Sequence, residues 1–366
     1  MYNVIVFGTG STANLLLNSL EVGINVICYC DNDKSKWGKK CNGKEIISPF
    51  RIKEMEFDYI LIASQFNESI YNQLLGLEVN EEQIFEFFRY IECVYNYIDH
   101  DLYYIRENAK EIQAIVTGIS YAEKAIKAEV LIKRTNKLTR PSQDLYFDYN
   151  LIKYIVENNK DYNLKLRYVL ICLSYYSFQY DMSYSEMKGK VYLYYESIGK
   201  KHHLNYEDNL FKRIGINKMI AEKTLIKHSN GTPVVNWLDN ENNNSDIVNE
   251  RIGERQALID GNKNYPETVK ENTQIFKDYL NLLKDNNIKP IVIVCPVSKY
   301  YSKYFPERLK HEFHTIINEV RKEYDFQFFD YFSSELFNDE DFSDVSHLND
   351  KGSEKFTQIL NEVIEW

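Results

Sequence analysis

The feature that most constrains the fold of this chain is a repeated alternation of short apolar runs with longer amphipathic segments. Runs such as 112–117, 168–173 and 291–295 have the length and the branched side chains of buried strands. A helical pattern follows each run before the next one begins. Strands that alternate with helices pair in parallel, with helices on both faces of the sheet. With further strands beginning at 128–131 and at 327–330, the pattern predicts a three-layer α/β/α domain with a parallel five-stranded sheet.

The N-terminal part shows the same alternation together with a glycine-rich turn. The strand pattern of 3–7 runs into Gly8-Thr9-Gly10-Ser11-Thr12, then a helix, then a second strand that ends at Asp31. This order is typical of a nucleotide-binding βαβ unit, in which a helix start faces a phosphate and an acid meets a ribose. We predict a Rossmann-like domain; a bare scaffold with a tight turn is the alternative. The predicted nucleotide contacts are Gly8, Gly10, Ser11, Thr12 and Asp31.

The patterns also predict where the chain divides. Residues 1–95 form the first domain, and 96–110 have the apolar spacing of a linker helix. The second domain covers 111–366 and contains a long polar insertion at about 182–264. Trp237, within that insertion, is either a sugar-stacking platform or a core anchor. With 366 residues, 44% of them hydrophobic, the chain can bury two separate cores.

Charge and cysteine usage exclude several kinds of partner. A net charge of −10 leaves no basic excess for nucleic-acid phosphates or an anionic membrane surface. The six cysteines form no CxxC pair, which predicts reduced thiols and no metal site. His311 and His314 lack an evident third ligand, which favours a solvated helix face. Every apolar run is shorter than the roughly 20 residues of a membrane span. We therefore expect a cytoplasmic protein without membrane insertion, and a homo-oligomer is left open.

Two polar stretches at the predicted carboxyl edge of the second sheet favour nucleophilic chemistry. Ser120 directly follows a strand and begins a helix, where its backbone N–H can help to bind an oxyanion. Near the C-terminus, the spacing of Asp344 and His347 lets the carboxylate hold one imidazole nitrogen and leave the other as a base. Strand order brings both stretches to one sheet edge, which predicts a Ser-His-Asp site. A serine helix cap and a surface Asp–His contact are the alternatives.

A first-strand serine and the late sequence Asp344-Val345-Ser346-His347-Leu348-Asn349 resemble the SGNH (GDSL-like) hydrolase superfamily. The resemblance covers roughly residues 110–366. It is strongest to the glycan-acylating branches, such as the teichoic-acid D-alanyl transfer protein and alginate acetyltransferases. It implies that Ser120 is the nucleophile, His347 the general base and Asp344 the orienting acid. It also places Ser142 where the superfamily has its oxyanion-binding glycine.

The sequence departs from the superfamily on the oxyanion side. Its nucleophile block reads Gly-Ile-Ser instead of Gly-Asp-Ser, and no Gly-x-Asn-Asp block follows the third strand. Ser174-Tyr175-Tyr176 stands there instead, so a tyrosine hydroxyl or a serine has to replace the usual asparagine. We take the oxyanion donors to be Ser120, Ser142 and Tyr175. Loss of one such donor can cost roughly 3 kcal/mol of transition-state stabilisation.

The first domain carries a resemblance of its own. Tyr29 to Asp33, Trp37-Gly38-Lys39 and Ile47-Ser48-Pro49 are similar to the N-terminal domain of bacterial sugar acyltransferases of the bacillosamine-acetyltransferase type. That resemblance implies a nucleotide or UDP-sugar, and not NAD, in the glycine-rich turn.

The two resemblances together imply acyl transfer, with acetyl as the leading acyl group, to or from a sugar hydroxyl in capsular or surface-polysaccharide biosynthesis. The implied partners are a small-molecule acyl donor and a glycan or nucleotide-sugar acceptor, and the serine site requires no cofactor. Two alternatives stay open. One is a carbohydrate esterase, and the other is a catalytically inactive protein that binds a nucleotide-sugar or a glycan.

Overall fold

The computed structural model describes residues 2–158, 163–205, 210–225 and 250–366. Trp237 lies outside these residues. The chain forms two units. The first contains the described residues up to Tyr97 together with those of 186–196 and 201–241. The second contains Ile98–Ser185, Ser197–Lys200 and the described residues from 250 to the end.

Each unit is built around one sheet. In chain order the strands are β1 Asn3–Phe7, β2 Asn25–Cys30, β3 Lys40–Cys41, β4 Lys44–Ile47, β5 Tyr59–Ile62, β6 Ile84–Glu86, β7 Ala114–Gly118, β8 Thr135–Thr139, β9 Tyr168–Leu173, β10 Lys289–Val294 and β11 Gln327–Asp330.

The α-helices carry most of the remaining ordered chain. They are α1 Ser11–Asn18, α2 Asn67–Gly76, α3 Phe87–Val94, α4 Tyr97–Glu107, α5 Ser120–Ala125, α6 Leu145–Asn158, α7 Val191–Ile198, α8 Leu210–Thr224, α9 Glu250–Gly261, α10 Pro266–Asp285, α11 Lys299–Ser302, α12 Glu307–Val320 and α13 Asp350–Val363. Among the described residues, no helix combines the length and the hydrophobicity that a membrane crossing needs.

The sheet of the first unit has six strands among the described residues, in the order β3-β4-β2-β1-β5-β6. All neighbours pair in parallel except β3 and β4, which are antiparallel. Val4 and Val6 face a core shared with α1, α3 and α8, whereas Ile5 and Phe7 face a core shared with α2. Alternate residues of a strand point to opposite faces, so a continuous apolar run is what a sheet covered on both sides requires. This explains why 3–7 has the pattern of a buried strand.

A group of buried charges fixes α8 to the first sheet. Arg213 donates to Glu86 at 2.6 and 3.1 Å and to Glu68 at 3.1 Å. Arg89 donates to Glu68 at 2.8 Å. All four side chains are buried. Because α8 belongs to the region predicted as the polar insertion, part of that region contributes directly to the core of the first unit.

The sheet of the second unit has the order β11-β10-β9-β7-β8, and every neighbouring pair is parallel. The predicted fold class, with its parallel five-stranded sheet, is confirmed. Gly118 at the end of β7 pairs with Thr139 of β8 and with Cys172 of β9. The loops that follow these three strands therefore leave from the same edge of the sheet.

One strand begins later than the sequence predicted. Residues 128–131 are not a strand, and β8 starts only at Thr135. The backbone there is hydrogen-bonded to the Asn361 side chain of α13. Asn361 accepts from Ile132 N at 3.0 Å and donates to Val130 O at 2.9 Å. A side chain of α13 thus binds the backbone groups that a neighbouring strand would have used.

Candidate active site

Ser120 stands at the carboxyl end of the strand β7. Gly118 has φ 137°, and a Cβ at this position would lie 2.5 Å from the carbonyl oxygen of Cys172. Only glycine therefore allows β7 to end so close to β9. Ile119 occupies the cap position of α5, and Ser120 is the first helical residue. The serine hydroxyl is thus not the helix cap that the sequence offered as an alternative.

The His347 ring joins this serine to a carboxylate. Its Nε2 lies 2.9 Å from Ser120 Oγ, and its Nδ1 lies 2.8 and 3.1 Å from the two oxygens of Asp344. A carboxylate in this position selects the tautomer that carries its proton on Nδ1 and leaves Nε2 free to accept the serine proton. The structure therefore brings together the three residues that the sequence predicted as nucleophile, base and acid.

Asp344 is held in place by its own loop. Its Oδ1 accepts the backbone N–H groups of Ser346 at 2.8 Å and of His347 at 2.9 Å. Burial works to raise the pKa of Asp344, but the hydrogen bond and the charge of His347, together with the donors of Ser346, lower it overall. The side chain is consequently ionised at neutral pH and available to stabilise an imidazolium.

Ser142 is the residue that the resemblance places at the oxyanion-binding glycine, and its backbone has a conformation that favours glycine. Its φ is 69°, in the left-handed region that favours glycine. The Tyr180 hydroxyl donates to the Ser142 carbonyl at 3.1 Å. Within the described part of the chain, the backbone N–H groups of Ser120 and Ser142 have no hydrogen-bond acceptor. Both are therefore candidates to donate to an oxyanion.

The structure places Tyr175 away from this serine. Its hydroxyl donates to Asp330 at 2.8 Å and lies 3.3 Å from His314 Nε2, and its ring stacks on Phe332 at 4.2 Å. The next residue, Tyr176, is the one on the serine side, with its ring edge-on to Tyr121 at 6.3 Å. Nothing in the sequence could choose between two adjacent tyrosines that project to different sides.

Sequence reasoning missed the aromatic surroundings of the base. The Tyr121 ring lies 5.3 Å from the His347 ring, centroid to centroid. Its hydroxyl donates to Tyr301 at 3.2 Å, and Tyr301 donates to Asp260 at 2.9 Å. The position of Tyr121 directly after the nucleophile was the available signal. Asp260 is distant in sequence and gave none.

In the first unit, a cleft of about 570 Å³ opens at the carboxyl edge of the sheet. Gly8 at the end of β1 has φ 113°, and a Cβ there would lie 2.6 Å from Ala63 O, so the turn requires glycine. Every residue predicted to contact a nucleotide lines this cleft: Gly8, Gly10, Ser11, Thr12 and Asp31.

Asp31 lines the same cleft, and its carboxylate accepts hydrogen bonds from two neighbouring side chains. It accepts hydrogen bonds from Thr9 Oγ1 and, at 2.9 Å, from Lys36 Nζ. Burial works to raise the pKa of Asp31, but the hydrogen bonds from Thr9, Asp33 and Lys36 lower it overall. Lys36 also contacts Thr9 at 3.0 Å. The cleft therefore presents a lysine cation beside the start of α1.

The second unit is thus an α/β domain whose parallel sheet carries a hydrogen-bonded serine, histidine and aspartate at its carboxyl edge, a layout suited to acyl transfer. Residues 190–364 match the family model of the DltD protein, and residues 1–85 match a model described as C2185-like, N-terminal. The first match confirms the expected resemblance to the SGNH-like D-alanyl transfer protein over the C-terminal part of the chain. It includes Asp344 and His347 but begins after Ser120. The comparison with curated proteins returns no match.

Proposed function

We propose that the second unit transfers an acyl group to or from a sugar hydroxyl, with Ser120 as nucleophile, His347 as general base and Asp344 as orienting acid. The observation that carries the proposal is the continuous line of hydrogen bonds from Asp344 through His347 to Ser120. The match of 190–364 to the DltD family supports acyl transfer in general. The contact with Ser120 adds the nucleophile, which lies outside the matched residues.

In the proposed reaction, Ser120 Oγ attacks the carbonyl carbon of an ester or thioester while His347 Nε2 takes the serine proton. The backbone N–H groups of Ser120 and Ser142 bind the resulting oxyanion. When the tetrahedral intermediate collapses, His347 returns the proton to the leaving oxygen or sulfur. A sugar hydroxyl then attacks the acyl-serine and loses its proton to His347. As the second tetrahedral intermediate collapses, His347 gives this proton to the departing Ser120 Oγ, and the acylated sugar leaves.

The sugar acceptor, the acetyl group and a role in capsular or surface-polysaccharide biosynthesis are the finer parts of this proposal. They rest on the resemblance to glycan-acylating proteins. We place the reaction in the cytoplasm, on a glycan precursor before export; the six cysteines are all free thiols, which suits that compartment. A carbohydrate esterase would use the same steps with water as the final acceptor, so the acceptor distinguishes the two enzymes.

A serine-directed fluorophosphonate probe tests the nucleophile without knowledge of the substrate. We expect it to label the wild type and a Ser333→Ala control, which removes an exposed serine of the same unit, but not Ser120→Ala. Equal labelling of Ser120→Ala and wild type would overturn the assignment. Acetyl transfer from p-nitrophenyl acetate to a panel of sugars and UDP-sugars then separates a transferase from an esterase, because only the transferase forms an acetylated sugar.

We also infer that the first unit binds a nucleotide or nucleotide-sugar, since one cleft gathers all the predicted contact residues. The free N–H groups at the start of α1 and the ammonium of Lys36 suit a phosphate. Phe66 lines the same cleft and is half exposed, so its ring is available for stacking on a base.

A single methyl group tests this inference. Gly10 has an extended backbone, and a Cβ there meets no atom within 4 Å. Gly10→Ala therefore leaves the fold intact but adds a methyl group where a phosphate would approach. We expect a UDP-sugar, tested beside NAD and NADP, to raise the melting temperature of wild type and of a Gly76→Ala control, but not of Gly10→Ala. If none of these nucleotides stabilises the wild type, the bare-scaffold alternative holds.

A further inference from the structure

A buried line of hydroxyl groups ends against the proposed base. Tyr121, which packs its ring on His347, is 8% exposed, and Tyr301 is fully buried. The Tyr121 hydroxyl donates a hydrogen bond to Tyr301 at 3.2 Å, and the Tyr176 ring packs edge-on against the Tyr121 ring. Tyr301 in turn donates to the carboxylate of Asp260 on α9. Two phenol groups and one carboxylate therefore form a continuous chain beside the serine site.

The carboxylate at the end fixes the direction of this chain. A carboxylate oxygen accepts hydrogen bonds, so Tyr301 donates to Asp260. Each phenol has one proton, so Tyr301 must accept from Tyr121. Gln256 Nε2 also donates to Asp260 Oδ2, at 2.9 Å, which holds the carboxylate in place. The hydroxyl groups of Tyr121 and Tyr301 therefore each have a single orientation.

We propose that Tyr121 is a positioning residue for His347, held in place by the hydrogen bonds that run from its hydroxyl through Tyr301 to Asp260. Asp344 fixes the His347 ring only at Nδ1, from the same loop, and 23% of the His347 side chain is exposed. The Tyr121 ring, at 35° to the imidazole, covers one of its faces. Because the chain holds Tyr121 at its hydroxyl, the contact limits rotation of the imidazole away from Ser120. The inference rests on the proposed function, in which His347 is the base.

The test is a double-mutant cycle on the Tyr121–Tyr301 hydrogen bond, read out by the rate of fluorophosphonate labelling. Tyr121→Phe and Tyr301→Phe each break this bond and keep both rings. We expect each to lower the maximal labelling rate roughly 3- to 10-fold, the rate equivalent of one hydrogen bond. The probe concentration for half-maximal rate should not change. The double variant should be no slower than either single variant, because both remove the same interaction.

Two further variants complete the experiment. Tyr121→Leu removes the ring contact as well and should be slower than Tyr121→Phe at the same folded fraction, whereas Tyr154→Phe, a control on α6, should label like the wild type. Wild-type rates in Tyr121→Phe and Tyr301→Phe, or effects that multiply in the double variant, would overturn the positioning role. Failure of the proposed function gives a different result, since the wild type would then be unlabelled or Ser120→Ala would be labelled equally.

Discussion

His347 Nε2 lies 2.9 Å from Ser120 Oγ, although 227 residues separate the two in sequence. The contact exists because β7 is the second strand from one edge of a parallel sheet and the loop before α13 returns to the carboxyl end of that strand. Phe342 and Leu348 bridge the base of this loop, and Ser343 N donates to His347 O at 2.9 Å. The sheet therefore positions the serine, while a closed loop positions the base.

The role of Asp344 is tested by a change that keeps its shape. In Asp344→Asn, an amide can donate to His347 Nδ1, which selects the tautomer that cannot accept the serine proton. We expect fluorophosphonate labelling to fall roughly 10²- to 10⁴-fold. Asp285→Asn, an exposed substitution at the end of α10, should leave the rate unchanged. If the labelling rate of Asp344→Asn falls less than about threefold, Asp344 and His347 form only a surface contact and Asp344 does not orient the base.

The left-handed backbone of Ser142 gives a second prediction. Ser142→Gly should keep or raise stability by up to about 1 kcal/mol, because glycine adopts φ 69° without strain. Ser142→Val should cost about 1–2 kcal/mol and slow the labelling, since a β-branched residue resists this conformation and the loop would carry its N–H elsewhere. Denaturant unfolding and labelling rates measure the two effects. Equal labelling in both variants would argue against an oxyanion role for this N–H.

The spacing of apolar residues along the chain predicted the elements whose structure depends on nearby residues. The apolar runs predicted the parallel sheet of the second unit, and the runs at 168–173 and 327–330 are β9 and β11. The misplaced strand at 128–131 shows the limit, because the backbone of Val130 and Ile132 hydrogen-bonds to Asn361 on the final helix. A partner that distant leaves no trace in the local spacing of apolar residues.

The residues of the candidate active site also differ in whether the sequence could predict them. Ser120, Asp344 and His347 could be predicted because short motifs and strand order fix their places. Tyr176 and Asp260 could not, since their contribution depends on which direction a ring points and on the contacts of a helix in a long connection. The chain of phenols has no periodicity or spacing from which it could be inferred.

The buried charges that hold α8 predict a strong effect of one substitution. Arg213→Met would leave the buried carboxylates Glu68 and Glu86 with one arginine fewer, and breaking a buried ion pair in this way typically costs about 3–5 kcal/mol. Lys212→Met, which removes the neighbouring exposed lysine that pairs with Glu81, should lower the urea midpoint far less, because solvent screens that pair. Urea unfolding of the whole chain, followed by circular dichroism, measures both. A similar small loss in the two variants would show that the buried group contributes little.

The same group of charges makes the first unit sensitive to acid. Burial works to raise the pKa of Glu68, but Arg213, Arg89 and Lys188 lower it to about 2 from its usual 4.5. The pKa of Glu68 is lower in the folded than in the unfolded state. The ionised carboxylate therefore contributes fully to stability above about pH 4.5, and this contribution is lost as the pH falls toward 2. We therefore expect the urea midpoint of the wild type to fall in this window by more than that of Glu68→Gln, which has no charge to lose there. Parallel curves for the two proteins between pH 4.5 and 2.5 would mean that Glu68 is not the group that titrates.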